Sequence, residues 1–222
     1  RQTHFHVLWG AVLGGITPVT IAIPPKYEEK NAVFLKLAGV IAQLDCKHVV
    51  ASTANVAPLQ GLLPGVTIHD AATIDMSAAG AEATVTGEDI LFYQLTSGST
   101  GIPKCIPERH SAIISHIRHS AEHCGYLPSD VTMNWLPFDH VVPMLTFHLA
   151  DTYLGRNAVQ VPTAQVIADP LLWMRVIEKH RVTHSWAPNF GFKLVAQAIE
   201  KSGKPCTLDL TSLKLLMNAG EQ

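Results

Sequence analysis

Leu91-Phe-Tyr-Gln-Leu-Thr-Ser-Gly-Ser-Thr-Gly-Ile-Pro-Lys104 carries an apolar, aromatic run straight into nine residues, 96–104, that hold four hydroxyls, two glycines and a lysine. The run reads as a buried strand and the polar stretch as a cradle for an anion. Gly98 and Gly101 let the backbone bend and come close, so that amide N–H groups can point at one oxyanion. Thr96, Ser97, Ser99 and Thr100 add hydroxyl donors, and Lys104 adds a mobile positive charge. Hydrogen bonds to a charged partner contribute roughly 1.5–3 kcal/mol each, so several together can hold a triphosphate. The string is not the P-loop of nucleotide hydrolases, because Lys104 follows Ile102-Pro103 instead of closing a Gly-Lys-Ser/Thr ending. No GxGxxG dinucleotide fingerprint is present either.

Outward from this loop, short β-branched runs predict strands at 19–23, 48–51, 66–69, 90–95, 132–136, 158–161, 183–186 and 213–217. Helical spacing separates several of them. Phe34, Leu37, Ile41 and Leu44 define a helix over 27–44. Asp169 as N-cap and Pro170 in the first turn open a second over 169–180. Phe192, Val195, Ala196 and Ile199 mark a third over 189–201. Strand–helix alternation with nearly continuous apolar strands predicts an α/β fold of layered, largely parallel sheets flanked by helices. The Ala-, Gly- and Thr-rich stretch 75–88 reads as a loose connection. It divides the chain into 1–80 and 81–222.

Composition narrows the function. The chain of 222 residues is 47% hydrophobic with a formal net charge of −2, enough apolar material for a sizeable core and no basic cluster to track a nucleic acid. Four separate cysteines form no CxxC pair and read as reduced thiols in a cytoplasmic protein. No apolar run has the length of a membrane span. The chain begins with Arg1 and stops at Gln222 just after a strand-like run, as a piece of a larger protein would.

The string 96–104, Thr-Ser-Gly-Ser-Thr-Gly-Ile-Pro-Lys, resembles the signature loop of the adenylate-forming superfamily, whose members include acyl-CoA synthetases, fatty acyl-AMP ligases and the adenylation domains of peptide synthetases. Other matches follow in the family's order. Gly14-Gly15-Ile16 before Pro18-Val19 resembles the upstream helix–glycine–strand element. Asn134-Trp-Leu-Pro-Phe-Asp-His140 resembles the element bordering the acyl pocket. Ala187-Pro-Asn-Phe-Gly-Phe-Lys-Leu194 is similar to fatty acyl-AMP ligases and the loading domains of polyketide and peptide synthases. Asn218-Ala-Gly-Glu221 resembles the turn on which adenine rests. The likeness covers the whole chain. It implies the N-terminal part of the large adenylation domain (1–80), a central α/β part with the phosphate loop (81–222), and a small C-terminal domain that is absent.

The resemblance implies ATP-dependent activation of a carboxylic acid as acyl-adenylate, then transfer to a thiol: phosphopantetheine on an acyl or peptidyl carrier protein, or CoA. Thr96, Ser97, Gly98, Ser99, Thr100, Gly101 and Lys104 would hold the ATP phosphates, with Lys104 and His140 catalytic. Asn218, Ala219, Gly220 and Glu221 would lie against adenine. Asp139, His140, Asn189, Phe190, Gly191, Met217 and Ala219 would line the acyl pocket. No protein metal ligand is assigned within the chain; that of Mg²⁺ is expected beyond residue 222, with the ribose-binding aspartate and the catalytic lysine of the small domain, so the fragment alone should be inactive. A free-standing acyl-CoA ligase and a non-catalytic nucleotide-binding scaffold are the rival readings. Val141 follows His140 where many fatty acyl-AMP ligases have aspartate, which argues against a plain long-chain fatty acid. The Asn189 amide favours a polar substituent such as a hydroxyl near the carboxylate, although the same amide could cap its helix.

Blander roles suit other residues. His116, His119 and His123 have metal-ligand spacing on a helix, but read as its polar face. Cys105 reads as a packed thiol, Trp135, Trp173 and Trp186 as core, and His148 as an interior histidine.

Overall fold

The computed structural model describes residues 2–23, 27–28, 31–75, 77, 80–96, 103–203, 205 and 207–219. The chain forms two compact units, Arg1–Ala112 and Ile113–Gln222.

The first unit opens with helix α1 (Gln2–Leu13), followed by α2 (Ala32–Leu44). Helix α2 starts later than its apolar spacing suggests because Asn31 caps it, accepting from the Val33 and Phe34 amides at 2.8 and 3.3 Å. Strands β1 (His48–Ala51) and β2 (Thr67–Asp70) pair in parallel across helix α3 (Thr53–Leu62). Their inner faces pack with α2 and α3 around Phe34, Leu37, Leu59, Leu63 and Ile68.

Strands β3 (Ile90–Leu95) and β4 (Cys105–Arg109) form an antiparallel pair. Pro107 hides β4 from sequence reading, yet it costs the ladder nothing. Tyr93, its partner in register, sends its N–H the other way, to Pro18 O at 3.1 Å. Tyr93 and Pro107 therefore form a non-hydrogen-bonded pair, where a missing N–H is harmless. On that other side of β3 the expected strand 19–23 is reduced to a single bridge, Val19 to Tyr93.

The division between units falls inside helix α4 (His110–Cys124). The second unit is built on strands β5 (Val131–Asn134), β6 (Asn157–Gln160), β7 (His184–Ala187) and β8 (Leu215–Asn218), in the order β6-β5-β7-β8 and all parallel. Between β5 and β6 run a π-helical segment, Val142–Leu149, and α5 (Ala150–Leu154). Helices α6 (Thr163–Ala168) and α7 (Leu171–His180) precede β7, and α8 (Asn189–Ser202) follows it. The core holds Met133, Trp135, Trp173, Ile177, Val182 and Trp186, so all three tryptophans read as core are buried there. Helix α7 begins one residue later than its capping residues suggest: Pro170 stands at the N-cap and Asp169 pairs with Arg175. Among the described residues no helix is long and apolar enough to cross a membrane.

Candidate functional site

In the first unit the β3–β4 hairpin carries the phosphate-loop sequence between the end of β3 and the start of β4. Leu95 pairs with Cys105, and the Thr96 amide donates to Lys104 O at 3.1 Å, so the ladder continues by one rung. Thr96 and Lys104 thus face each other at the two roots of the loop, both exposed, while Leu91 and Phe92 anchor the strand in the core. A hairpin fixes both ends of a loop and spares much of the entropy of ordering it around a ligand. A hydroxyl and an ammonium held side by side suit an anionic group such as a phosphate. Ser97, Gly98, Ser99, Thr100 and Gly101 lie outside the described residues, as do Gly220 and Glu221 of the adenine turn. Cys105, beside Lys104, directs its thiol to Gln43 Oε1 at 3.3 Å, and burial raises its pKa. That suits a packed thiol better than a nucleophile.

In the second unit the other predicted residues gather at the carboxyl edge of the parallel sheet. Strand β7 ends at Ala187, Pro188 turns the chain, and α8 starts at Asn189. Asn189 is the first helical residue, and its amide does not cap the helix. Asn189 Oδ1 instead accepts from Asn218 Nδ2 at 2.6 Å, tying α8 to the end of β8. Both residues are exposed. Next to β8 the Ala219 amide donates to Ala187 O at 3.3 Å, and Met217 lies in register with Trp186. Gly191 is buried because nothing larger fits: a Cβ there would stand 2.8 Å from Ala187 Cβ and 3.0 Å from Trp135 Cζ2. Phe190 meets the Trp135 ring edge-on at 5.9 Å. Asp139, half-buried, and His140, exposed, lie just beyond β5 on the same edge. His140 leads into the π-helical segment, where the Ala150 amide reaches back five residues to Leu145 O. Such segments are frequent at functional sites.

A residue that opens the 134–140 motif, and to which the sequence assigned no role of its own, shapes this edge. Asn134, last in β5 and fully buried, accepts from the Leu136 amide at 3.1 Å and from Trp186 Nε1 at 3.3 Å. Its Nδ2 donates to Leu136 O at 3.0 Å and to Gln160 Oε1 at 3.3 Å. One amide thus fixes the turn that leads to Asp139 and His140. An asparagine inside an apolar strand run was the available signal. His148 is buried and meets Phe138 edge-on at 5.8 Å, in keeping with an interior histidine.

The amino edge of the same sheet has the opposite character. Asp130, Arg156, His184 and Lys214 stand at the entries of β5, β6, β7 and β8. Asp130 pairs with Lys214 at 2.6 Å and lies 3.9 Å from His184 Nδ1. Burial alone would push the Asp130 carboxyl up, but hydrogen bonds from Lys214 and the Leu127 amide bring its pKa below the usual range. Asp151 is buried 2.8 Å from Arg156 Nη2, close but poorly aligned as a hydrogen bond, and Thr132 Oγ1 donates to it at 2.7 Å. Burial pushes Asp151 up to about 7, against the pull of Arg156 and Thr132. Arg156 also lies over the Tyr126 ring, 4.9 Å from its centre.

A parallel α/β sheet with polar turns at its strand carboxyl ends is an architecture on which nucleotide-binding α/β proteins are built, and the chain also carries a hydroxyl- and glycine-rich sequence between the two strands of a hairpin. The model of the AMP-binding enzyme family matches residues 7–222, and the chain belongs to that family. It is 30% identical to microperfuranone synthase of Emericella nidulans, over 96% of this chain and 23% of that protein. It superposes on the solved structure of McyG A-PCP complexed with phenylalanyl-adenylate with a TM-score of 0.92, at 30% identity over 100% of this chain and 36% of that one. For the adenylation domain of a keto acid-selecting NRPS module bound to keto acyl adenylate the TM-score is 0.90, at 25% identity over 100% of this chain and 41% of that one. The chain thus spans about a quarter of the length of the curated relatives it matches.

Proposed function

We propose that this chain is part of an adenylation domain that activates a carboxylic acid with ATP and passes it to the phosphopantetheine thiol of a carrier protein. In the first step a carboxylate oxygen attacks the α-phosphorus and the bond to pyrophosphate breaks, giving acyl-adenylate. In the second a thiolate displaces AMP from the acyl carbon. The residues of 96–104 and Lys104 offset the charge of the departing phosphates, and residues 218–221 hold adenine. Mg²⁺ would supply further charge neutralisation. Positioning and charge neutralisation are the main demands of the first step. Family membership and the adenylate complexes of the similar structures support this reading.

The observation that carries the substrate class is the Asn189–Asn218 hydrogen bond at the sheet's carboxyl edge. With its oxygen committed to Asn218, Asn189 has its NH₂ to offer, a donor for an oxygen next to the acid's carboxylate. A 2-hydroxy or 2-oxo acid presents such an oxygen; a plain fatty acid does not. The keto acyl adenylate in a similar structure supports the same class.

The test is hydroxamate formation by the full-length enzyme across fatty, aryl, amino, 2-hydroxy and 2-oxo acids. The 2-oxygenated acids should exceed their deoxy analogues, and Asn189→Ala should erase that ratio. Equal use of oxygenated and deoxy acids would overturn the substrate class. Nucleotide binding without any adenylation across the panel would overturn the enzymatic reading in favour of a scaffold. Transfer to CoA but not to a carrier protein would reassign the acceptor.

A further inference from the structure

The parallel pair β1–β2 shows two different faces. Val49, Ala51 and Ile68 join the core with α2 and α3, while His48, Val50, Thr67 and His69 occupy the other face and are exposed. The register sets His48 opposite Thr67 and Val50 opposite His69, so the two histidines lie on a diagonal across the strands. That diagonal brings His48 Nδ1 to 3.1 Å from His69 Nε2, with ring centroids 5.3 Å apart and the rings tilted by 37°.

We propose that His48 and His69 form a two-imidazole site for a borderline divalent transition metal such as Zn²⁺, Ni²⁺ or Cu²⁺. Metal–imidazole bonds are about 2.0–2.1 Å long. Two such bonds meeting at roughly 90–109° place their nitrogens about 2.9–3.4 Å apart, and the observed 3.1 Å falls inside that range. The N–H···N hydrogen bond and the chelate share this spacing and differ in ring rotation, a broad torsion for histidine. With their protons on the outer nitrogens, His48 Nε2 and His69 Nδ1, the two imidazoles present both lone pairs inward.

The strands hold both Cα atoms in fixed register, which lowers the cost of ordering the ligands. The chemistry selects against hard ions, since imidazole suits zinc, copper and nickel whereas Mg²⁺ and Ca²⁺ want oxygen. The neighbouring carboxylates are engaged elsewhere: Asp45 pairs with Lys47, and Asp70 accepts from Thr53 Oγ1 and the Ala72 amide. Among the described residues no third histidine, cysteine or carboxylate completes a three-ligand set. Water would fill the remaining positions, which makes the site an exchangeable one, open to a further donor.

The experiment is a calorimetric Zn²⁺ titration of the purified chain near neutral pH, with His48→Gln, His69→Gln and, as a control on the helical histidines, His119→Gln. Far-UV circular dichroism checks that each variant is folded. Losing one imidazole should weaken Zn²⁺ by at least the roughly 10–100-fold typical of losing an outer-shell partner. His119→Gln and excess Mg²⁺ should leave the affinity unchanged. Wild-type affinity in both strand variants, or a loss confined to His119→Gln, would overturn the proposal.

Discussion

Asn134→Leu isolates the buried amide that shapes the carboxyl edge. The substitution roughly preserves volume and removes all hydrogen-bonding capacity. The Leu136 amide and carbonyl and Trp186 Nε1 lose a partner, and Leu136 and Trp186 are 6% and 4% exposed. Each buried group left unsatisfied costs about 1–3 kcal/mol. Gln160 Oε1, at the longer 3.3 Å, sits on a half-buried side chain that water can reach, and adds little. Trp186 Nε1 is left unsatisfied and the Leu136 groups each lose one bond, while the apolar side chain recovers part of the loss, so the net destabilisation should be about 2–3 kcal/mol. Urea unfolding of the chain, followed by indole fluorescence, reads this directly because Trp186 is one of the bonded groups. The same variant in the full-length enzyme should lose adenylation at temperatures where it remains folded, since the turn leading to His140 is no longer held. A variant within about 1 kcal/mol of wild type would show that the amide fills space and nothing more.

Gly191→Ala should destabilise the chain by about 1–3 kcal/mol in the same assay, even though alanine favours helix, because the new Cβ meets Ala187 Cβ at 2.8 Å and neither atom has a torsion with which to retreat. Lys104→Ala in the full-length enzyme should slow ATP–pyrophosphate exchange by about 10²–10³-fold, the scale of losing one charge-stabilising donor, with little effect on unfolding of the chain, since Lys104 is exposed. Asp151 gives a pH signature. The unfolded carboxyl loses its proton near 3.9 and the folded one at about 7, so between those values the folded state binds more protons. Wild-type stability should therefore fall relative to Asp151→Asn as pH rises from about 4 to about 7, by on the order of a few kcal/mol. A flat difference between the two unfolding curves would show that Asp151 is ionised throughout.

Strands were legible where their apolar runs are short and β-branched: 48–51 and 90–95 match the parallel strand β1 and the antiparallel strand β3 end to end. Elements with a proline inside were not. Cys105–Arg109 becomes a strand only because Tyr93 turns its N–H toward Pro18, a tertiary fact. Thr53–Leu62 is a helix in spite of Pro58. Candidate site residues could be named from sequence where a motif is contiguous. The Asn189–Asn218 pair was not, since its partners are 29 residues apart and meet only when β7 and β8 are in register. Propensity suggested a capping role for Asn189; tertiary pairing placed it one position inside the helix.

The two ends of the four-stranded sheet divide the chemistry between them. At the amino edge every strand is entered beside an ionisable residue, and their charges are largely settled within the protein: Asp130 with Lys214, Asp151 with Arg156. At the carboxyl edge the side-chain contacts join amide to amide, Asn189 with Asn218, and ring to ring, Trp135 with Phe190, with Asp139 and His140 following β5. Neutral donors suit a site whose ligands bring their own negative charge, because they can be desolvated in advance at a fraction of the cost of a buried ion. The ion-paired amino edge and the Asn189–Asn218 contact at the carboxyl edge are therefore separable. Changes such as Asp151→Asn should move stability and its pH dependence while leaving the preference between oxygenated and deoxy acids intact, and Asn189→Ala should do the reverse.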